Sequence, residues 1–290
     1  MGRGISRSAL CCAVIALAAT GCGSSKSDTN TNTTSSGGGV VQQPKPKEPA
    51  SAVIAPLNKA FKDQSCAEFA VLDFSQGRQD TTPGAPPTGS ECKFMNQALK
   101  NSKQLRFTHG AEYGTAALLE GAAPAAIAKK IPGKAAGFAL LMLDRDGKYR
   151  FVLSNVDREQ IGTKPNAGAD DGGKNAQAFV DGVRAGDCKT VAPLIHPNGS
   201  LAHGYKNANE VCKALVGGHV FAPALKETTN PKAVLLGATR DWQFYGVATK
   251  KTYFTLAMAT PPGTSSKPPL AIEVFASTDN PNIRKKQPAG

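Results

Sequence analysis

Four cysteines in the body of the chain are its strongest candidates for covalent or metal chemistry, because their surroundings are repeated. Cys66 lies in the stretch FKDQSCAEFAVL, and Cys188 lies 122 positions later in the similar stretch VRAGDCKTVAPL. A second cysteine follows each of them in a Cys-Lys pair, at Cys92 and Cys212. Thiols at such spacings form disulfides or bind a metal ion, so their chemistry depends on which of them come together.

A tandem duplication of the body selects among the three pairings that four cysteines allow. Both copies receive the same bridge only if Cys66 bonds Cys92 and Cys188 bonds Cys212, across 26 and 24 positions. Closing loops of that length would stabilise each copy by about 3 to 3.5 kcal/mol. The alternative is a metal site formed by Cys188, His196, His203 and Cys212. The first copy has no histidine between its cysteines and the spacing matches no zinc signature, so we expect disulfides and no metal.

The N-terminus carries a further cysteine in a different setting. Arg3 and Arg7 precede an apolar run over residues 9–19, which is typical of a secretory signal and too short to span a membrane. The run ends in Ala19-Thr20-Gly21-Cys22, which resembles the lipobox of bacterial lipoproteins. That resemblance implies cleavage before Cys22 and attachment of a diacylglycerol, with palmitate-type chains, to its sulfur.

We therefore expect residues 1–21 to be a lipoprotein signal peptide, and Cys22 to hold the mature chain at the extracytoplasmic face of the cell membrane. An ordinary secretory signal cleaved near residues 16–18 is the alternative. An oxidising compartment outside the cytoplasm also favours the disulfides. Residues 22–51 consist mostly of Ser, Thr, Gly, Asn, Gln, Pro and Lys, a composition that predicts a disordered tether.

The positive charge of the chain is spread over its length. The formal net charge is +12, and removal of Arg3 and Arg7 with the signal leaves 12 − 2 = +10. One cluster, Arg284-Lys285-Lys286, lies in a predicted basic tail over residues 281–290. Anionic headgroups or wall polymers would attract such a surface, although solubility alone accounts for it. No aromatic residues alternate with Arg and Lys, and the chain is exported, so we expect no binding of nucleic acid.

The body predicts two domains of the same construction. We expect a first domain over residues 52–160, a linker over residues 161–171 and a second domain over residues 172–280. Each begins with residues at the spacing of one apolar helix face, namely Ala176, Phe179, Val180 and Val183 in the second copy, and Ile54, Leu57 and Phe61 in the first. A polar break and a second short helix follow, where Ser65 with Glu68 predicts a capping box and Asp187 predicts a cap.

Strands fill the rest of each copy after a third short helix near residues 92–100 and 209–216. We expect strands over residues 104–109, 115–119, 137–143 and 149–156 in the first copy, and over 234–236, 242–249, 254–259 and 270–275 in the second. Asp146-Gly147 between two of them predicts a hairpin turn. Helices followed by an antiparallel meander predict an α+β fold.

This order of elements resembles the nuclear transport factor two-like superfold, which ketosteroid isomerases and polyketide cyclases of the SnoaL type share. The paired helical stretches through Ser65-Cys66 and Asp187-Cys188 carry the resemblance, together with the helix-then-hairpin order. It implies two tandem cone-shaped domains, in each of which N-terminal helices pack on a curved antiparallel sheet. A cystatin-like fold with a single helix, or another α+β sandwich, is the alternative.

In catalytic members of that superfold, acidic, tyrosine and histidine side chains line the mouth of the cone. Six residues are candidates for such a pocket: His109, Tyr113, Tyr205, His219, Asp241 and Tyr245. None of them matches a family motif, and each has an ordinary structural explanation, so we expect no catalytic residue and no cofactor. The sequence favours a non-catalytic envelope lipoprotein that binds an envelope protein or a small apolar ligand. An isomerase- or cyclase-type enzyme, or a carrier of an apolar ligand, is the alternative.

Overall fold

The structure is a computed structural model of the 290-residue chain. It describes residues 39–74, 96, 99–100, 102–131, 133–144, 146–166, 171–202, 204–261 and 267–277. The predicted signal peptide, Cys22, Cys92, His203 and the basic tail lie outside the described residues, and the expectations for them stay predictions.

The first half, residues 50–158, places helices before a four-stranded sheet. Its elements are a 3₁₀ turn (Ala50–Val53), α1 (Ile54–Asp63), α2 (Cys66–Ala70), β1 (Arg106–Tyr113), β2 (Ala116–Ala122), α3 (Ala125–Ala128), β3 (Ala135–Leu143) and β4 (Tyr149–Arg158). The strands form an antiparallel sheet in the order β1-β2-β3-β4. All four predicted strands are confirmed, with ends that differ by a few residues. The predicted turn at Asp146-Gly147 joins β3 to β4, and Gly147 has a positive φ of 76°.

The second half, residues 172–276, repeats this order of helices and strands. Its elements are α4 (Gly172–Ala185), α5 (Cys188–Val191), 3₁₀ turns at Ala192–Leu194 and Ser200–Ala202, α6 (Ala208–Gly217), α7 (Phe221–Glu227), β5 (Ala233–Ala238), β6 (Trp242–Ala248), β7 (Tyr253–Ala259) and β8 (Leu270–Ala276). The sheet order is β5-β6-β7-β8, again antiparallel. In the part of the chain that the structure describes, the protein is therefore mixed α+β, with two four-stranded antiparallel sheets.

The first helix of each half ends where its sequence predicts. Gln64 closes α1 with a left-handed φ of 52°, and Gly186 closes α4 with a φ of 74°. Asp187 then caps α5, since its carboxylate accepts hydrogen bonds from Lys189 N and Thr190 N. Only one half of the predicted capping box forms in α2: Ser65 Oγ accepts from Glu68 N at 3.3 Å, while the Glu68 carboxylate bonds Lys59 instead.

Irregular features recur at corresponding places in the two sheets. The first pair of strands in each half has a register shift, at Phe107/His109 and at Leu235/Gly237. The last pair has one as well, at Leu140/Leu141 and at Ala257/Met258. In each half the segment after the second helix adds a parallel bridge to the last strand, through Asp73 to Phe151 and through Ile195 to Ala271. Asp73 and Ile195 are 122 positions apart, as the cysteines are, so the sheets share details that a common meander does not require.

The inner strands β2, β3, β6 and β7 are buried on both faces, because the two sheets pack on each other. Along β3, Ala139, Leu141 and Leu143 belong to a core beneath α1 and α2, whereas Phe138 and Leu140 belong to a different core. Phe138 and Leu140 lie on the opposite face of the sheet, because successive side chains along a strand point to opposite faces. The core on that face also contains residues from the other sheet, namely Trp242, Phe244, Ala257, Ala259, Ile272 and Phe275. The layers are therefore helices, sheet, sheet and helices.

Residues 39–49, which the sequence assigns to the tether, lie against both halves. Val41 N donates to Thr249 O at 2.7 Å in the second half, and the Tyr253 hydroxyl donates to Gln43 Oε1 at 3.3 Å. Lys47 N then donates to Gly147 O at 2.8 Å in the first half. Polar composition predicts disorder because such residues bury little apolar surface, but here backbone hydrogen bonds fix the segment. Within the described residues, no helix has the length and hydropathy needed to cross a membrane.

Candidate functional site

The space between helices and sheet in the first half is filled with aromatic rings. Phe61 of α1 has its ring centroid 5.7 Å from Phe69, 6.0 Å from Phe107 and 5.7 Å from Phe151. All four side chains are at most 2% exposed. The resemblance to the cone-shaped superfold predicts a pocket at this place, and the rings take up its volume.

The corresponding space in the second half contains Tyr245, one of the predicted pocket residues. Its ring is 3% exposed, its hydroxyl donates to Gln243 Oε1 at 2.5 Å, and burial raises the pKa of the hydroxyl to about 12. Helix α4 closes over this pair, since a Cβ on Gly172 would lie 1.8 Å from Gln243 Oε1. Phe221 fills the same core, with its ring centroid 4.9 Å from that of Phe254. Tyr245 is therefore a core residue with a bonded hydroxyl.

Asp241 belongs to a polar cluster at the junction of the two halves. Gln160, which is 1% exposed, donates from Nε2 to Asp241 Oδ2 at 2.7 Å and accepts from Asp241 N at 3.0 Å. Asn166 also donates to the Asp241 carboxylate, and an Arg158 nitrogen lies 3.8 Å from it. The Gln160 amide accepts from Thr239 Oγ1 at 3.2 Å as well. Asp241 thus joins the halves through charge-assisted hydrogen bonds.

Glu120 extends this cluster into the first sheet. Its carboxylate is 1% exposed, and Oε1 accepts hydrogen bonds from Gln160 N at 2.5 Å and Ile161 N at 3.1 Å. Oε2 makes no hydrogen bond and lies 3.6 Å from Nε2 of His109, which is half-exposed on the neighbouring strand. Tyr113 lies at the same junction, where burial and, second, the charge of Glu120 raise the pKa of its hydroxyl. These groups hold the start of the predicted linker against the first sheet.

The six predicted pocket residues do not form one site. Tyr205 is 45% exposed, and His219 is exposed after the end of α6. Tyr245 lies in the second core, while His109, Tyr113 and Asp241 lie at the junction. Sequence reasoning missed Glu120 and Gln160. Glu120 had a signal, because it interrupts the apolar run AALLEGAA, and a lone carboxylate in such a strand needs buried partners.

Two surface clefts adjoin α1 and α2. One, of about 410 Å³, is lined by Ala55, Pro56, Val71 and Leu72 with Lys59 and Glu68. A neighbouring cleft of about 140 Å³ lies between the 3₁₀ turn and the β3–β4 hairpin, and is lined by Pro49, Ala52, Val53 and Tyr149 with Glu48, Lys148 and Arg150. Lys59 bonds Glu68 across the larger cleft, and Arg150 bonds Asp144 beside the smaller one. Their charged groups therefore bond one another and do not converge on an empty centre.

The predicted bridge of the second half is confirmed. Cys188 Sγ and Cys212 Sγ are 2.05 Å apart, and the bond joins the start of α5 to α6. Bonded sulfurs supply no thiolate ligands, so the alternative metal site of these cysteines with His196 and His203 is wrong. His196 is buried, and its Nδ1 accepts from Asn198 N at 3.1 Å. Cys66 is also disulfide-bonded, and its predicted partner Cys92 lies outside the described residues.

Comparison with known proteins adds no assignment. No family model matches the chain, and no curated protein matches it.

Proposed function

We propose that this protein is a lipid-anchored lipoprotein of a bacterial cell envelope, and that it acts outside the cytoplasm as a non-catalytic binding module. The lipobox-like residues before Cys22 support the anchor. A disulfide in a small α+β half supports an oxidising compartment. We further propose that each half is a compact form of the cone-shaped superfold, since helices precede an antiparallel meander in both.

The observation that carries the binding proposal is the filled space beneath the helices. Phe61, Phe69, Phe107 and Phe151 occupy it in the first half, and Tyr245 with Phe221 and Phe254 in the second. An isomerase or a carrier of the same superfold needs a cavity that accepts its ligand. Because core side chains fill these interiors, a partner binds at the outer surface of the protein.

Acylation tests the anchor. The exported wild-type chain should incorporate labelled palmitate and gain the mass of a diacylglycerol on a fragment that begins at Cys22. Cys22→Ala should lose both signals, whereas Cys12→Ala, inside the predicted signal peptide, should keep them. An unmodified Cys22 in exported wild-type protein would refute the anchor.

Native mass spectrometry tests the non-catalytic binding module against the carrier. The protein should show the covalent acyl mass and no second apolar molecule in a fixed ratio. A stoichiometric noncovalent lipid that survives exchange into fresh detergent would favour the carrier. Phe61→Ala offers a second measurement, because it opens space in the first core. If wild-type protein already binds an apolar fluorescent probe as well as Phe61→Ala does, the interior is accessible and the proposal fails.

A further inference from the structure

The connection between β2 and β3 is longer than the fold requires. It runs from Ala122 to Ala135, whereas Ala248 and Tyr253 bound the equivalent connection between β6 and β7. The shorter connection is a tight turn in which Thr249 N donates to Thr252 O at 3.1 Å. A turn of that size therefore suffices to reverse the chain between these strands. The added length in the first half calls for a reason other than folding.

The added segment places an apolar helix in solvent. Helix α3 buries none of its residues, and Ile127 is 44% exposed. Its turns are helical, because Ala128 N donates to Pro124 O at 2.9 Å and Lys129 N donates to Ala125 O at 3.3 Å. None of the residues of α3 belongs to a core cluster, so the apolar surface of Ile127 is open to a partner.

Two lysines follow the exposed isoleucine after one alanine. Lys129 and Lys130 are both exposed, and residues 123–134 contain a third lysine, Lys134, and no acidic residue. Lys134 bonds Glu159 at 2.7 Å, which leaves the Lys129-Lys130 pair as the positive end of the helix. An apolar side chain beside two lysines is typical of short segments that lie in the interface of an anionic bilayer.

The surrounding sheet end adds positive charge. Ala122 pairs with Arg106 and Ala135 pairs with Arg158, so an arginine lies beside each end of the β2–β3 connection. Two cations at this end are paired with carboxylates, Lys134 with Glu159 and Arg158 with Asp241, and Glu120 is 1% exposed. Lys129, Lys130 and Arg106 outnumber the remaining carboxylate, that of Asp157, so the end that carries α3 keeps an excess of positive charge.

We propose that the α3 connection docks on an anionic lipid bilayer, with Ile127 entering the acyl boundary and Lys129 and Lys130 meeting lipid phosphates. The proposal rests on the proposed anchor only in that the anchor brings the helix close to lipid. Residue 41 lies on the β6–β7 turn, and the 18 residues from 23 to 40 can extend about 60 Å. Among the described strands the longest is β4, whose 10 residues span about 33 Å, so the chain is long enough for the body to turn α3 toward the same membrane.

Vesicle binding of a chain without the acyl group tests this docking. Residues 22–290 with Cys22→Ala are mixed with phosphatidylcholine vesicles that contain or lack phosphatidylglycerol, and bound protein is measured after sedimentation. We expect binding to the anionic vesicles alone, and weaker binding as salt is raised. Lys129→Glu/Lys130→Glu should lower the partition coefficient about tenfold or more, and Ile127→Ser several-fold.

Matched controls separate the helix from net charge. Lys232→Glu/Lys250→Glu makes the same charge change at exposed lysines on the opposite end of the second sheet, and Val234→Ser removes an apolar residue there that is 59% exposed, more than the 44% of Ile127. Both should bind as the parent chain does, and circular dichroism checks the fold of every variant.

An equal loss in the lysine control, or binding to neutral vesicles, would overturn the proposal. If the chain bound soluble polyphosphate as well as it binds anionic vesicles, and Ile127→Ser left that binding unchanged, the partner of the helix would be an anionic polymer instead. The chain in this assay carries no acyl group, so the result does not depend on whether Cys22 is acylated. Each of the two proposals, the anchor and the docking, can therefore be refuted without the other.

Discussion

The ring of Tyr113 in the first half stacks on the ring of Phe244 in the second, with centroids 5.3 Å apart and planes 28° from parallel. The stack sits close to backbone, because a Cβ on Gly237 would lie 2.5 Å from the Tyr113 ring. Trp242 continues the stack, with its ring centroid 6.2 Å from that of Phe244. The halves therefore share an aromatic core, and they are expected to unfold together.

Phe244→Ala should destabilise the whole body. The side chain is fully buried between the sheets, and truncation of such a phenylalanine costs about 3 to 5 kcal/mol. Denaturant unfolding, followed by circular dichroism and by Trp242 fluorescence, should give one coincident transition at lower midpoint. Val234→Ala, at a 59% exposed position, should change the unfolding free energy by no more than about 0.5 kcal/mol. Two separate transitions in the wild type would contradict a shared core.

Gln160→Ala should loosen the polar cluster at the junction. It removes the amide that donates to Asp241 Oδ2 and accepts from Asp241 N, and so leaves buried polar groups without partners. Such a loss costs about 1 to 3 kcal/mol of unfolding free energy. Asn155→Ala, at an exposed position on β4, is the control and should be nearly neutral. If both variants unfold at the wild-type midpoint, the cluster contributes nothing to the junction.

His196 should make stability depend on pH. Burial lowers the pKa of its imidazole from 6.5 to about 4, so the unfolded chain takes up this proton first as the pH falls. The stabilising effect of neutral His196 is complete above about pH 6.5 and is lost progressively down to about pH 4. Between pH 7.5 and 5 the loss amounts to about 2 kcal/mol.

The matched variant for this titration is His196→Phe. Phe74 stands 122 positions earlier in the first half and packs on Phe275, with a centroid distance of 5.3 Å. Free energies of unfolding measured from pH 7.5 to 5 should fall less steeply in this variant than in the wild type. His219→Phe, at an exposed histidine, should keep the wild-type slope. Parallel curves for His196→Phe and the wild type would show that His196 is not the group responsible.

Loss of the Cys188–Cys212 bond should weaken the helical layer of the second half. The bridge closes a loop of 24 positions, and the Cys188→Ala/Cys212→Ala pair should lower the unfolding free energy by about 3.5 kcal/mol. Intact mass of the exported body should also lie four hydrogens below that of the fully reduced chain, and peptide mapping should join Cys66 to Cys92. A free thiol at Cys92 would refute the repeated bridge.

The strands and the cap of α5 could be predicted from the sequence because the residue pattern that indicates each of them lies within or next to the element itself. Alternating side chains and turn residues gave all eight strands, and Asp187 gave the cap of α5. Helix α7 was missed because Phe221–Glu227 is short and lies between stronger patterns. The stacking of the sheets was missed although a sign of it was present. Residues 135–143, AAGFALLML, are apolar at successive positions, and such a run is typical of a strand buried on both faces.

The candidate site could not be predicted in the same way, because its partners are far apart in the chain. Asp241 meets Gln160 from 81 positions away, and Glu120 meets it from 40. Contacts between residues so far apart in the chain produce no pattern in the local sequence that could indicate them. A fold-level resemblance therefore assigned Asp241 and Tyr113 to a pocket, whereas packing between the sheets gives both of them neighbours at the junction.

Residues 39–49 determine how force from the N-terminus would enter the protein. The segment is fastened first to Thr249 in the second half and then to Gly147 in the first. Tension along the chain thus loads the C-terminal half before the N-terminal half, in the reverse of sequence order. The bond between Val41 and Thr249 therefore bears the load first, and the bond between Lys47 and Gly147 is loaded after the first has opened.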